Sequence, residues 1–457
     1  MASTATDQRQ SQDIELQLSE TSTTKREDPI PREDGSEPKS TFMRVCKNFS
    51  TVWSALPIYT SIPATFRANS FRFTVCMDTG VLSIILHQFP YPSHWTRVCS
   101  TILFVLNLVL FLLFITIYLL RWTFYRTSTF SHTSVDAEEI ALQACPTITW
   151  LTLTIQVQLI CAQSWGYGFT ILAFVMWWIS LLWITTICVL LYLHLIKHPS
   201  HSIVDKWLPT AVFIPIVGLF TQANAAGLIV NGATNDTHLS AALAIPLIIV
   251  GFMLVGFGLG LATIMYAIYM HRLMTSGFPE SLKIPSMILT IGPCGQSASA
   301  LIQLGNAAVT HSNFATYDRG TFLTATAAPV LRVQCTLAAL LLVGFAIFWM
   351  SVDYYALVSG LVRRQIKPSL FWWSSIFPVG TVVTALAGLG TELDSPAFKI
   401  CAIILFVFLF LIYVVNAVIT VPMTLDGSFL GLEKGFEHGF HRESKRARKF
   451  EEESQGA

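Results

Sequence analysis

The sequence predicts an all-α integral membrane protein with ten transmembrane helices. Three observations carry this prediction. The 457 residues are 53% hydrophobic and only 12% charged, a balance that favours lipid over water as solvent. Apolar runs recur at about the 17 to 25 residues a spanning helix needs. Lys and Arg gather in every second loop between those runs.

Taken in order, the predicted spans lie near Phe71 to Phe89, Val98 to Leu120, Ile140 to Ala162, Thr170 to Leu195 and Trp207 to Val230. Five more follow, near Leu239 to Met270, Leu282 to Val309, Val330 to Leu361, Phe371 to Leu389 and Phe398 to Val421. The chain thus divides into a polar N-terminal tail (1–66), a membrane domain (67–421) and a C-terminal tail (422–457). The N-terminal tail holds no apolar core of the kind a cleaved signal requires, and its composition is that of a solvated, disordered segment.

Loop charge sets the topology. Arg121 and Arg126, Lys197 and Lys206, Arg272 and Lys283, and Arg363, Arg364 and Lys367 follow the even-numbered spans, which puts both termini in the cytoplasm. The C-terminal SKRARK run then lies beside the anionic inner leaflet as a topology anchor. The sequon at Asn235 falls in an outer loop, where glycosylation is topologically permitted.

The spans alternate in character. The second, fourth, eighth and tenth are runs of large apolar residues, suited to lipid. The odd ones carry proline, small residues, amides and hydroxyls: Pro146, Gln156 and Gln158; Pro215, Thr221, Gln222 and Asn224; Pro285, Pro293, Gln296 and Ser297; Pro378, Gly380 and Thr381. Polar groups and broken helix geometry at membrane depth are tolerated only where protein or a water-filled cavity receives them. The odd spans therefore read as an inner ring around a path, with ordinary packing through small residues as the plainer alternative. The GFGLG run from Gly256 to Gly260 reads simply as a place of close helix approach.

Several chemistries find no support. No Walker A, HExxH, GxSxG or paired-carboxylate constellation is suitably placed, so the chain does not read as an enzyme and calls for no cofactor. The nine cysteines are scattered without metal-ligand spacing, and His194, His198 and His201 read as a solvated helix end rather than a metal site. A net charge of +1, with basic residues confined to loops and tails, excludes nucleic acid as the natural partner. With no fuel to hydrolyse, transport must draw on gradients. An inside-negative potential of about 100 mV drives each unit of negative charge outward with about 2.3 kcal/mol. Donors such as Thr221, Asn224, Gln296 and Ser297 suit an anion, with Thr79, Gln156 and Thr381 as further candidate pore-lining groups. Asp78 fits less well: it reads either as a proton-coupling acid or as a carboxylate near a wide mouth or paired locally. Asp353 is expected to reach the cytoplasmic interface and receives no role.

Four stretches, TGVLSIILHQFPYP, AQSWGYG with WW following, IGPCGQSASALIQLG and WWSSIFPVGTVVTALAGLGTELDSPAF, together resemble the tellurite-resistance/dicarboxylate transporter family, especially its fungal sulfite efflux and malic acid transporter branch. The resemblance implies five helical hairpins around a quasi-fivefold central pore lined by the odd helices. It also implies a trimer, and a pore-plugging phenylalanine like that of the related plant slow anion channels, matched here by Phe377 in WWSSIFP. One departure stands out: sulfite pumps usually read MGTG where this chain has MDTG, which favours proton coupling or a different anion. The expected function is therefore export of a small anion such as sulfite across the plasma membrane. A proton-coupled malate or dicarboxylate carrier, and a membrane scaffold or sensor without transport, are the alternatives.

Overall fold

The computed structural model describes residues 72–124, 137–197, 209–279, 281, 283–364 and 370–425. The N-terminal tail, residues 426–457 of the C-terminal tail with the SKRARK run, and His198 and His201 lie outside the described residues. Ten long helices follow one another: α1 (Arg72–His87), α2 (His94–Phe124), α3 (Ala144–Gln156), α4 (Tyr167–Lys197), α5 (Phe213–Asn231), α6 (Ala241–Ser276), α7 (Ile291–Val309), α8 (Ala327–Val362), α9 (Ile376–Glu392) and α10 (Pro396–Leu425). Among the described residues, eight helical spans are long and apolar enough to cross a membrane. The other two are α1, only 16 residues long, and α7, whose Gly, Ser and Gln content dilutes its apolar character.

Each odd helix packs on the even helix that follows it, giving five hairpins: α1 with α2, α3 with α4, α5 with α6, α7 with α8 and α9 with α10. The odd helices also pack on one another in a closed circuit, α1 on α3, α3 on α5, α5 on α7, α7 on α9 and α9 back on α1. The most apolar stretch of α5 is 100% buried and that of α3 is 89% buried, against 22% to 33% for α2, α4, α8 and α10. The even helices turn Leu112, Ile179, Leu341 and Leu411 outward, where hydrocarbon is their natural solvent.

Small residues let the inner helices meet. A Cβ on Gly80 of α1 would lie 2.3 Å from Thr152 Oγ1 of α3, one on Gly227 of α5 would lie 2.6 Å from the Gln303 backbone of α7, and one on Gly295 of α7 would lie 2.8 Å from the Val382 nitrogen of α9. Within GFGLG only Gly258 is pressed, against Phe220 of α5, while Gly256 and Gly260 face open space. Polar bonds fix the helices to one another: within the first hairpin Ser83 and Ser100 each donate to the other's carbonyl at 2.8 Å, and between hairpins Trp177 Nε1 of α4 donates to the Gln222 carbonyl of α5 at 2.9 Å.

The broken geometry expected of the inner helices takes a regular form. Helices α5, α7 and α9 are each entered through a 3-10 turn, at Thr210–Val212, Ile284–Thr290 and Leu370–Ser375. Proline is then the third residue of α3, α5, α7 and α9, as Pro146, Pro215, Pro293 and Pro378. Proline's fixed φ suits a helix's first turn, and a junction between 3-10 and α winding tolerates its missing N–H better than a helix interior does. Helix α3 departs at its other end, where Val157–Ala162 winds as a π-helix.

Candidate functional site

Asp78 lies midway along α1 with no exposed surface, and both of its carboxylate oxygens lack a hydrogen-bond partner. The backbone N–H of Phe377, in the first turn of α9, faces this carboxylate without closing a full hydrogen bond. Unsatisfied first-turn amides and the helix dipole make such an end the natural neighbour of a negative group. Asp78 and Phe377 are thus brought together from opposite ends of the sequence, and Phe377 is itself 3% exposed. Just above, a Cβ on Gly380 of α9 would touch Val81 of α1 at 3.2 Å, and one on Gly292 of α7 would meet Val217 of α5 at 2.9 Å. Neighbouring inner helices approach one another closely at this level.

The same level carries a repeat in the sequence. Pro293-Cys294-Gly295 in α7 and Pro378-Val379-Gly380 in α9 share their spacing with Asp78-Thr79-Gly80 in α1, so Asp78 stands where the other helices place proline. An internal comparison of the odd helices exposes this correspondence from sequence alone.

The remaining candidates are distributed around the ring. Thr221, Ser297 and Thr381 are buried, and each hydroxyl donates to a carbonyl of its own helix, those of Val217, Cys294 and Pro378. Thr79 does the same to Val75 and also meets the Tyr413 hydroxyl of α10 at 3.0 Å. Gln156 Nε2 donates to the Gly80 carbonyl, and its oxygen accepts from Asn107 of α2, which ties α1, α2 and α3 together. Asn224 accepts from Ser299 at 3.3 Å. Among the described residues the Asn224 amino group and the whole Gln296 amide make no hydrogen bond, so these two are among the uncommitted donors of the inner ring, as is Gln158 Nε2. Asn235 is exposed in the loop between α5 and α6.

Asp353 does not reach the interface. It is fully buried, with Oδ2 accepting from Thr290 Oγ1 at 2.8 Å, because the 3-10 entry to α7 packs directly on α8. Sequence reasoning also passed over Arg332 and Glu392, which form a bidentate pair at 2.7 and 3.0 Å. Sixty positions separate them, so neither periodicity nor spacing couples them. Among the described residues no cluster of His, Cys, Asp or Glu could hold a metal ion.

The family model described as voltage-dependent anion channel (SLAC1) matches residues 69–421. The sulfite efflux pumps SSU1 of Arthroderma benhamiae and Trichophyton rubrum are each 28% identical to this chain over 331 residues, 72% of this chain and 83% of the relative. A malic acid transport protein of Schizosaccharomyces pombe is 21% identical over 351 residues, 74% of this chain and 75% of the relative. The closed ring of five inner helices, each backed by an apolar partner, suits this kinship: the chain belongs to the voltage-dependent anion channel family and is a multi-pass membrane transporter of small anions.

Proposed function

We propose that the chain exports sulfite, or an anion of similar size, across the plasma membrane along the membrane potential, with both termini in the cytoplasm. The observation that carries this reading is the convergence of buried Phe377 and Asp78 inside a closed five-helix ring. Phe377 is the gate: its ring closes a dry constriction that blocks ions until the side chain swings aside. The Gln296 and Asn224 amides supply neutral donors within the inner helices, which solvate an anion weakly enough to let it leave. The membrane domain spans 67–421, and three such chains associate, as the resemblance to related channels implies.

A second reading draws on one specific feature. The unpaired carboxyl of Asp78 beside the gate suits a proton-coupled carrier of malate or another organic acid, in which the carboxyl holds a proton while the anion passes. Flux of sulfite and of malate into proteoliposomes, measured for the wild type and Asp78→Gly, separates the two. Sulfite movement that follows the potential and survives the substitution supports export. Malate movement that depends on pH and collapses in Asp78→Gly overturns it in favour of the carrier. A protein that moves neither anion is a scaffold or sensor.

A further inference from the structure

Beyond the gate, the C-terminal ends of α1, α7 and α9 enclose a cavity of about 130 Å³. These inner helices are otherwise buried, yet their accessible residues recur at helical spacing. On α9 they are Thr384, Ala387, Gly388 and Thr391, and on α7 they are Gln303 and Asn306. Gln88, just past the end of α1, completes the wall. Stripes at i, i+3, i+4 and i+7 on a buried helix mark a face turned to open space. Two such faces meeting beside the end of α1 are what a ring of helices presents where it widens into a mouth.

The lining has a definite polarity. The Thr384 and Thr391 hydroxyls donate to the Thr381 and Ala387 carbonyls, so they offer the cavity only lone pairs. Amides are the donors. Asn231 Nδ2 donates to the Gln303 side-chain oxygen at 2.9 Å, leaving the Gln303 amino end free, and Asn306 spends one N–H on Glu392 Oε1 at 2.8 Å and keeps the other. Three helix C-termini and Glu392 make the mouth negative, a field that opposes any anion entering it. Arg332 cancels that charge. Its Nε and Nη2 hold both Glu392 oxygens, while its own side chain is 44% exposed. A cation is the less suited occupant, because among the described residues Glu392 is the one carboxylate lining the cavity and both its oxygens are already taken.

We propose that this cavity is a second anion station, separate from the Phe377 gate, in which the amides of Gln88, Gln303 and Asn306 hold a small oxyanion and the Arg332–Glu392 pair sets its affinity. Guanidinium binds two oxygens of an oxyanion with the same fork it presents to a carboxylate, so the anion and Glu392 compete for Arg332. The station binds weakly while Glu392 holds the fork, which is what the last site on an export path requires. The proposal rests on the reading of the chain as an anion exporter with this end outside.

The test uses full-length protein in whole-cell recordings, varying sulfite or malate in the external solution only. Glu392→Gln frees the guanidinium and is expected to lower the half-saturating external concentration by about tenfold, and Arg332→Gln is expected to raise it by at least about tenfold. Combining the two substitutions removes both charges and brings the value back towards wild type. Values for both single variants within about twofold of wild type overturn the station and reduce the pair to a staple between α8 and α9. The shift in melting temperature caused by sulfite or malate, read on purified full-length protein, reports the same site without transport. If the wild type carries neither anion, the proposed export fails, and the station is then judged on that shift alone: it should grow in Glu392→Gln and shrink in Arg332→Gln. An identical shift in all three proteins, or none in the wild type, overturns it.

Discussion

Phe377 is fully enclosed in the first turn of α9, and an ordinary packing aromatic there would be costly to truncate. Removing a buried phenylalanine ring typically costs about 3 to 5 kcal/mol through lost contacts and the cavity left behind. A gate behaves differently in function: the vacated volume becomes an open path. Phe377→Ala is therefore expected to raise anion flux by at least about tenfold per folded molecule, measured in proteoliposomes matched for protein content. Unchanged flux would return Phe377 to the core. Asp78 yields a prediction of opposite sign for stability. A buried polar group without a partner carries an uncompensated desolvation cost of about 1 to 3 kcal/mol, so Asp78→Ala is expected to raise the melting temperature in detergent despite the loss of a favourable neighbour for α9. A drop in melting temperature would show that the carboxyl is held by bonds stronger than its facing of the Phe377 amide. Sequence identified Asp78 as anomalous from its residue type at membrane depth alone. It could not identify Arg332 and Glu392, because each is unremarkable at a helix end and only the fold brings them to 2.7 Å.

At the scale of helices, ring closure depends on glycines where two backbones nearly touch. Gly295 is the clearest test, since a methyl group there would lie 2.4 Å from Thr381 Oγ1 and 2.8 Å from the Val382 backbone nitrogen, and a helix backbone cannot yield locally. Gly295→Ala is expected to destabilise the protein by about 1 to 3 kcal/mol, seen as a lower melting temperature and less monodisperse protein. Gly256→Ala is the control: open space surrounds that position, and the gain in helix propensity makes the change neutral or slightly stabilising. Equal behaviour of the two variants would contradict the close contact of α7 with α9. The helices themselves were legible because a bilayer fixes their length and the alternation of apolar and polar spans separates the outer set from the inner. The entry turns were less so. Proline content announced broken geometry, but that Pro146, Pro215, Pro293 and Pro378 each sit third in their helix, three of them after a 3-10 turn, depends on where the α-helix begins.

For the whole molecule the decisive property is how charge movement couples to the membrane field. The inner ring carries few ionisable groups among the described residues; Asp78 is a buried one beside Phe377, and the charge of Glu392 is balanced by Arg332. A path without strong fixed charge neither traps a monovalent anion nor supplies energy to it, so the potential alone should set the direction and size of net flow. One elementary charge crossing about 100 mV gains about 2.3 kcal/mol, which corresponds to roughly a fiftyfold ratio of concentrations at equilibrium. Proteoliposomes clamped at that potential and preloaded with sulfite that crosses as singly charged hydrogensulfite should therefore lose it down to an inside concentration about fiftyfold below the outside. At zero potential the two sides should equalise. If the final ratio instead follows an imposed pH difference and ignores the potential, a proton moves with each anion, the pathway is electroneutral, and Asp78 becomes the group that carries the proton past Phe377.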